Sequence, residues 1–473
     1  MAMSSTDVVV IRGGQVVSTS GATAADVIVE GERIVAVVAP GSAASTAAAG
    51  GARVVDADGC YVVPGGVDVH VHLQLPMSPE ATSSDTFATG TAAAAWGGTT
   101  TVIDFAGQMK GMHVRDAVEQ RLAEADGQCA IDYGLHLSMG GVDEAALKEM
   151  GTLVDEGITS FKFFMAYPGV YYSDDGQLLQ AFQRCADLGS MAMIHAENGI
   201  AIDVLRDQAA SRGDTGSVWH GRTRPSRLEG EAVHRAAALA EVAGAPLYIV
   251  HLSSSDALEQ VTWARQRGLN VFAETCPQYL YLSIDEHLDQ PGLDGLRHIC
   301  SPPLRPSTTH DTLWQGLRRD ELAVVSTDHC PFCDTEKLLG IDDFRVAPNG
   351  LGSIEHRMDL IHAGVTAGEI SLARWVETCS TTPARLFGLY PKKGVIAPGS
   401  DADIVVYDPR VTQTLGADTH HMNLDHSVWE GIEIPGQVRT VLSRGSFVID
   451  DRSYVGRAGH GQYLRRDVSD LLV

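Results

Sequence analysis

The chain has 473 residues, with 35 Lys and Arg against 60 Asp and Glu, so its formal net charge is -25 when the histidines are neutral. So strong a negative charge argues against a nucleic acid or an anionic membrane surface as a partner. The sequence opens without a basic segment followed by a long apolar run, and no run approaches the roughly 20 apolar residues of a spanning helix. We therefore expect a cytoplasmic protein.

The two ends of the chain share one pattern. Before residue 64 and again after residue 394, short β-like runs alternate with Gly and Asp turns, as in ADVIVEGERIVAVV and VRTVLSRGSFVIDD. Neither end contains a convincing segment with helical periodicity. The pattern predicts one small β-sandwich domain, built from residues 1–63 and 390–455.

Between these ends, residues 64–389 alternate strand-like apolar runs with Ala-rich amphipathic segments such as DEAALKEMGTLVDEG. The strand-like runs are VDVHVH, TTTVIDF, IDYGLHL, ITSFKFF, MAMIHAEN, LYIVHLSS, NVFAETC and AVVSTDHC. Alternation of this kind is typical of βα units and a parallel sheet. Eight units predict an α/β fold with a (β/α)8 TIM barrel, and a doubly wound open sheet is the alternative that the pattern leaves open.

Six ionisable side chains stand at the carboxyl ends of five of these runs. They are His70, His72, Lys162, His195, His251 and Asp328. In a barrel the carboxyl ends of the strands converge on the active site, so residues far apart in sequence become neighbours. Any one of them alone is more simply explained by packing or capping, but four imidazoles and a carboxylate together suit zinc or a similar divalent metal.

Lys162 is the unexpected member of this set, because an ammonium group would repel a metal ion. Burial lowers the pKa of a lysine. The neutral amine can then take up carbon dioxide to form an anionic carbamate, and such a carbamate can bridge two metals.

Several strings in this order, among them PGGVDVHVHLQLP, FKFFMAYPG, HAENG, ETCPQYL, STDHCPF and PNGLGSIEHR, resemble the dihydropyrimidinase/hydantoinase family of cyclic amidohydrolases. The resemblance extends from the N-terminal β segment to GHGQYLRR. It implies a binuclear zinc site in which His70, His72 and Asp328 hold one ion and His195 and His251 hold the other. Carboxylated Lys162 and a hydroxide would bridge the two ions.

The resemblance also implies a reaction. The bridging hydroxide would open the cyclic amide of a dihydropyrimidine or a 5-substituted hydantoin to an N-carbamoyl amino acid, a step of pyrimidine catabolism. Asp328 would act as general base and then general acid, and Tyr167 would hydrogen-bond the developing oxyanion. Ser301 and Asn349 would bind the amide and imide edge of the substrate, largely through backbone groups.

Two alternatives remain open at this stage. One is an allantoinase or another cyclic amide hydrolase of the same superfamily, and the other is a non-enzymatic scaffold that shares the fold. The intact set of six ligand positions argues against the scaffold. Departures from the family pattern in MSPEATSSDTF, after His72, leave the preferred substrate undetermined.

The resemblance implies a homotetramer, with a dimer as the alternative, because family members are usually of this kind. The tail, residues 456–473, is expected to contact a neighbouring subunit. Eight scattered cysteines without framework spacing favour free thiols over disulfides, and Cys330 and Cys333 of the CPFC sequence are expected to be ordinary thiols.

Overall fold

The structure is a computed structural model that describes residues 8–472. Eight parallel strands pair in sequence order to form a barrel. Numbered as the first to the eighth barrel strand, they are Gly66–Val71, Thr99–Gln108, Asp132–Met139, Ser160–Phe164, Met191–His195, Leu247–Ile249, Val271–Thr275 and Val324–Val325. Each overlaps one of the eight runs picked out from the sequence, so the predicted barrel is confirmed.

The first and eighth barrel strands meet just beyond their carboxyl ends. Val71 forms a parallel bridge with His329, and the amide of His72 donates to the carbonyl of His329 at 2.8 Å. Nearer the amino end of the first strand, the carboxylate of Asp68 accepts from the hydroxyl of Thr327 at 2.6 Å. These contacts close the barrel at the end where its active site is expected.

Helices follow the barrel strands, and one further helix, Ala43–Ala49, lies against the N-terminal strands, where the sequence predicted β structure alone. The α-helices are Ala43–Ala49, Phe87–Trp96, Val114–Ala125, Glu144–Asp155, Asp175–Leu188, Gly199–Ser211, Val218–Arg222, Ser226–Ala243, Ser255–Gln266, Pro277–Tyr281, Gly292–Leu296, His310–Arg318, Asp334–Lys337, Arg357–Thr366, Leu372–Val376 and Thr382–Leu386. Short 3-10 turns lie at Ser307–Thr309, Leu338–Gly340 and Phe344–Val346, and π-helical turns at Ile284–Leu288 and Glu377–Thr381. Local sequence sets their ends: Asp174 and Gln177 form a capping box at the start of Asp175–Leu188, and Gly189 ends that helix in the left-handed conformation.

The two ends of the chain form a separate mixed sheet. Its strands are Val8–Ser18, Gly21–Glu30, Arg33–Val38, Arg53–Asp56, Tyr61–Pro64, Ile404–Thr414, Glu433–Ser443, Ser446–Asp450 and Ser453–Tyr454. Tyr61–Pro64 pairs antiparallel with Ile404–Thr414 and so joins the N-terminal to the C-terminal strands. A further pair, Pro76–Ser78 and Ala81–Thr82, forms a small hairpin. The fold class predicted from the sequence is confirmed, whereas the domain limits at residues 63, 390 and 455 stay predictions and residues 1–7 lie outside the described residues.

A buried ion cluster joins the barrel to the end sheet. The ammonium of Lys393, 1% exposed, lies 2.7 Å from Asp132, 3.0 Å from Asp401 and 2.8 Å from Asp403. Arg444 reaches the same Asp132 carboxylate at 3.0 Å. Asp132 begins the third barrel strand and Asp403 adjoins Ile404 of the end sheet, so one lysine connects the two units.

The tail lies against its own barrel. The amide of Leu464 donates to Tyr133 at 2.7 Å and that of Arg466 donates to Gly157 at 3.0 Å. Asp467 completes the series by donating to Gly388 at 3.2 Å. The tail therefore runs beneath the amino ends of the strands, and its predicted contact with a neighbouring subunit stays a prediction.

All eight cysteines lie within the described residues and are free; Cys333 is the one that is partly exposed. Among residues 8–472, no helix combines the length and the apolar character that a membrane span requires.

Candidate metal centre

The six predicted ligands reach the barrel mouth from different backbone positions. His70 and Lys162 lie inside barrel strands and His195 is the last residue of its strand. His251 and Asp328 lie beyond the ends of theirs, with φ angles of 38° and 52°. The left-handed backbone at these two residues cannot continue a strand, so the sixth and eighth strands end earlier than LYIVHLSS and AVVSTDHC suggest.

Three side chains meet at one carboxylate oxygen. Oδ1 of Asp328 lies 3.2 Å from Nε2 of His70 and 3.3 Å from Nε2 of His72. The structure thus brings together one potential ligand atom from each residue of this trio. The ammonium nitrogen of Lys162 lies 2.8 Å from the same Nε2 of His70.

The remaining two histidines adjoin this group. The ring centroids of His195 and His251 are 4.6 Å apart, and those of His70 and His251 are 5.3 Å apart. Nδ1 of His251 is buried and has no hydrogen-bond partner among the described residues. All six residues singled out in the sequence therefore lie in one cluster at the carboxyl end of the barrel.

Lys162 has an apolar environment on its other side. Its side chain is 2% exposed, and its ammonium lies 4.3 Å from the ring centroid of Phe105 and 5.3 Å from that of Phe164. Burial lowers the pKa of Lys162 to about 8. A minor fraction of neutral amine, far larger than for an exposed lysine, is then present near neutral pH, and this is the form that reacts with carbon dioxide.

Burial favours neutral rings at His70 and His251, beside an ionised carboxylate at Asp328. Burial, reinforced by Lys162, holds the pKa of His70 well below its usual value, and burial also lowers the pKa of His251. Burial alone would raise the pKa of Asp328, but His70 and His72 outweigh it and bring that pKa down to about 2. Neutral imidazoles and an anionic carboxylate are the protonation states that bind a divalent cation.

Two buried carboxylates orient the histidine rings. Nδ1 of His70 hydrogen-bonds Glu274, and Nε2 of His195 hydrogen-bonds Glu197 at 2.8 Å. A carboxylate on the outer ring nitrogen fixes the orientation of a ligand histidine and leaves the other nitrogen for a metal. Sequence reasoning missed Glu197, although its position two residues after His195 places both side chains on one side of the chain.

His329, the residue after Asp328, supports a loop rather than the ring of a ligand histidine. Its Nε2 lies 3.0 Å from the carboxylate of Asp85, and its Nδ1 accepts from the amides of Ser353 and Ile354. Its ring fixes the loop after Asp328, and its carbonyl closes the barrel against His72.

Of the predicted substrate-binding residues, Tyr167 adjoins a metal ligand, whereas Ser301 and Asn349 lie on buried loops. The ring centroid of Tyr167 is 5.1 Å from that of His195, and the residue has a φ of 60°. Burial raises the pKa of Tyr167, so its hydroxyl stays protonated as a hydrogen-bond donor. Ser301 is buried with its hydroxyl 3.3 Å from Nε2 of His220, and Oδ1 of Asn349 is buried without a partner among residues 8–472.

Three of the strained backbone positions lie in this region. Tyr167, His251 and Asp328 are non-glycine residues with positive φ. Such residues cost on the order of 1–3 kcal/mol each and persist where the surrounding structure requires a particular side-chain direction. Here the left-handed turn directs each side chain into the barrel mouth.

The donor set fits a divalent metal. Imidazole nitrogens and a carboxylate oxygen converge from several strand ends, and outer carboxylates hold the rings of His70 and His195. Nδ1 of His251, unpartnered within the described part of the chain, is a buried nitrogen that a metal ion would satisfy. A buried cluster of this composition would be costly without a cation, since unpaired buried polar groups are destabilising. The fold and this cluster define a metal-dependent hydrolase of the barrel type.

Comparison with known proteins identifies the family. Residues 61–448 match the model described as "Amidohydrolase family". A D-hydantoinase of Streptomyces coelicolor is 55% identical over 98% of this chain and 99% of its own length. A D-hydantoinase of Geobacillus stearothermophilus is 43% identical, with 96% of each chain covered.

A solved structure supports the same family assignment. The dihydropyrimidinase from Brevibacillus agri NCHU1002 superposes with a TM-score of 0.95 at 44% identity, covering 98% of this chain and 99% of its own. The chain belongs to the amidohydrolase family, within its branch of cyclic amidohydrolases, the dihydropyrimidinases and hydantoinases.

Proposed function

We propose that this enzyme hydrolyses the cyclic amide bond of dihydropyrimidines or 5-substituted hydantoins and releases N-carbamoyl amino acids. The observation that carries the proposal is the convergence of four imidazoles, Asp328 and Lys162 at the barrel mouth. The names and the high identity of the Streptomyces coelicolor and Geobacillus stearothermophilus relatives support the same substrate class.

Two zinc ions are the proposed cofactor. His70, His72 and Asp328 would hold one ion and His195 and His251 the other, with carboxylated Lys162 shared between them. The lowered pKa of the buried Lys162 amine supports carboxylation. When bound, such a metal pair supplies an activated water as the nucleophile at neutral pH.

Residues of this enzyme transfer the proton, stabilise the oxyanion and hold the substrate ring. Asp328, ionised and at the centre of the cluster, accepts the proton of the nucleophile and delivers it to the leaving ring nitrogen. Tyr167 donates its hydroxyl proton as a hydrogen bond to the oxyanion. The backbone at Ser301 and Asn349 holds the amide and imide edge of the ring.

The proposal is tested by a panel of substrates. Purified protein is assayed on dihydrouracil, hydantoin, phenylhydantoin, allantoin and dihydroorotate, with a metal-stripped sample alongside. We expect turnover of dihydrouracil or a hydantoin that disappears on metal removal and returns on adding zinc. Preference for allantoin would make the enzyme an allantoinase instead, and full activity after complete metal removal would exclude the mechanism.

Replacing Tyr167 by phenylalanine is expected to lower kcat about 100- to 1,000-fold, because a single oxyanion donor commonly contributes this much. KM and the metal content should change little, since the ring remains. Tyr390→Phe is the matched control, because Tyr390 is 40% exposed and is not among the residues of this site. Equal loss in both variants would remove Tyr167 from the mechanism.

The two outer carboxylates give a second prediction. Glu274→Gln and Glu197→Gln should each weaken metal binding about 10- to 100-fold, because each residue orients one ligand histidine. The measurement is a zinc titration of the metal-stripped protein with a competing chelator. Glu231→Gln serves as the control, because Glu231 pairs with Arg235 on the surface. Unchanged affinity in both buried variants would contradict the orienting role.

A further inference from the structure

A buried lysine outside the metal centre joins the two loops that carry Ser301 and Asn349. Lys337 is 1% exposed. Its ammonium donates to the carbonyls of Ile299 at 3.0 Å, Pro348 at 3.0 Å and Gly350 at 2.8 Å. The three acceptors lie within two residues of Ser301 or next to Asn349, on segments that meet only through the fold.

Packing alone does not account for this lysine. All three ammonium protons are used, and all three acceptors are backbone carbonyls rather than a carboxylate. The desolvation of an ammonium group is costly unless its hydrogen bonds are fully satisfied. An apolar side chain would fill the same space at lower cost but could not fix three carbonyls relative to one another.

The backbone around the lysine is tightly constrained. The amide of Gly350 donates to the carbonyl of Ile299 at 3.0 Å, so the two loops are tied together twice. Gly350 has a φ of 155°, and a Cβ at this position would lie 2.1 Å from the carbonyl oxygen of Cys330. Small movements of either loop are therefore resisted from several sides.

Lys337 follows the CPFC sequence closely and is the last residue of a short helix. Helix Asp334–Lys337 begins directly after Cys333. Arg297, two residues before Ile299, donates from its guanidinium to the carboxylate of Asp334 at 2.8 Å. The loop that contains Arg297 thus holds the first residue of this helix, Asp334. The last residue, Lys337, hydrogen-bonds to both loops.

We propose that Lys337 is a positioning residue that holds the backbone at Ser301 and Asn349 at the spacing required to bind the amide and imide edge of a cyclic ureide. This inference rests on the proposed function. Lys337 acts through the two loops and does not itself contact the reacting atoms.

Kinetics of Lys337→Met and Lys337→Gln test the inference. KM for dihydrouracil and hydantoin should rise about tenfold or more while kcat changes less than about threefold, since the loss falls on ground-state and transition-state binding alike. The zinc content should stay that of the wild type. Hydrogen exchange should become faster in residues 297–301 and 348–352. The glutamine variant retains two N–H donors and carries the test if the methionine variant does not fold.

Lys393→Met is the matched control, because Lys393 is also buried and also holds three oxygens, but in the cluster that joins the barrel to the end sheet. It should lower thermal stability without raising KM or loosening residues 348–352. Unchanged KM in folded Lys337 variants, or an equal rise of KM in Lys393→Met, would overturn the inference. Failure of the proposed function looks different: the wild type itself would turn over no cyclic ureide, and the exchange data would still report whether Lys337 holds the loops.

Discussion

Replacing Lys162 by alanine is expected to remove both bound metal and turnover. The lysine lies among the ligand atoms, 2.8 Å from Nε2 of His70, and no other described residue places an anion-forming amine there. Without it the two proposed ions lose their shared ligand, and we expect kcat to fall at least about 1,000-fold, as when other groups that stabilise developing charge are lost. Zinc per chain is measured by elemental analysis and turnover on the best substrate of the panel.

The surface lysine Lys148, on helix Glu144–Asp155, provides the control, because Lys148→Ala leaves the barrel mouth untouched. Mass spectrometry of the native protein adds an independent measurement, since a carbamate on Lys162 adds the mass of one carbon dioxide. A Lys162→Ala variant that keeps two metals and full activity would show the binuclear interpretation to be wrong.

Replacing Lys393 by methionine is expected to give the largest loss of stability. Asp132, Asp401 and Asp403 would be left buried without their shared cation. Removing one partner of a buried ion pair commonly costs about 3–5 kcal/mol. The midpoint of thermal unfolding should fall accordingly, and the loss should be reduced when an acidic buffer protonates the carboxylates.

The neighbouring residue offers a close comparison. Lys392 is exposed, so Lys392→Met should change the free energy of unfolding by no more than about 0.5 kcal/mol. If Lys393→Met unfolds at the same temperature as Lys392→Met, the cluster does not hold the barrel and the end sheet together.

Much of the fold was predictable because each barrel strand is a compact apolar run between amphipathic segments. The ends of the strands were harder to predict. The apolar run LYIVHLSS continues well past Ile249, where the paired strand stops. The left-handed backbone at His251 ends it. Glycine signals such a turn in a sequence, whereas a histidine does not, so only the folded barrel shows where the chain turns.

The ligand cluster was predictable for a related reason. His70, Lys162 and His195 are polar residues within or at the ends of strands, which the sequence displays directly. Glu197 and Lys337 were missed because their importance depends on partners. Glu197 matters through the orientation of the His195 ring, and Lys337 through backbone carbonyls, which every residue possesses and which leave no mark in the sequence.

The tail beneath the barrel has a consequence for how the protein is made. Leu464, Arg466 and Asp467 hydrogen-bond to Tyr133, Gly157 and Gly388, so the amino end of the barrel is completed by residues that are synthesised long after the barrel strands. Contacts between such distant segments are slow to form. This end of the barrel therefore stays uncovered until residues 464–467 have been synthesised and have docked, and until then its strand ends are open to association with other chains.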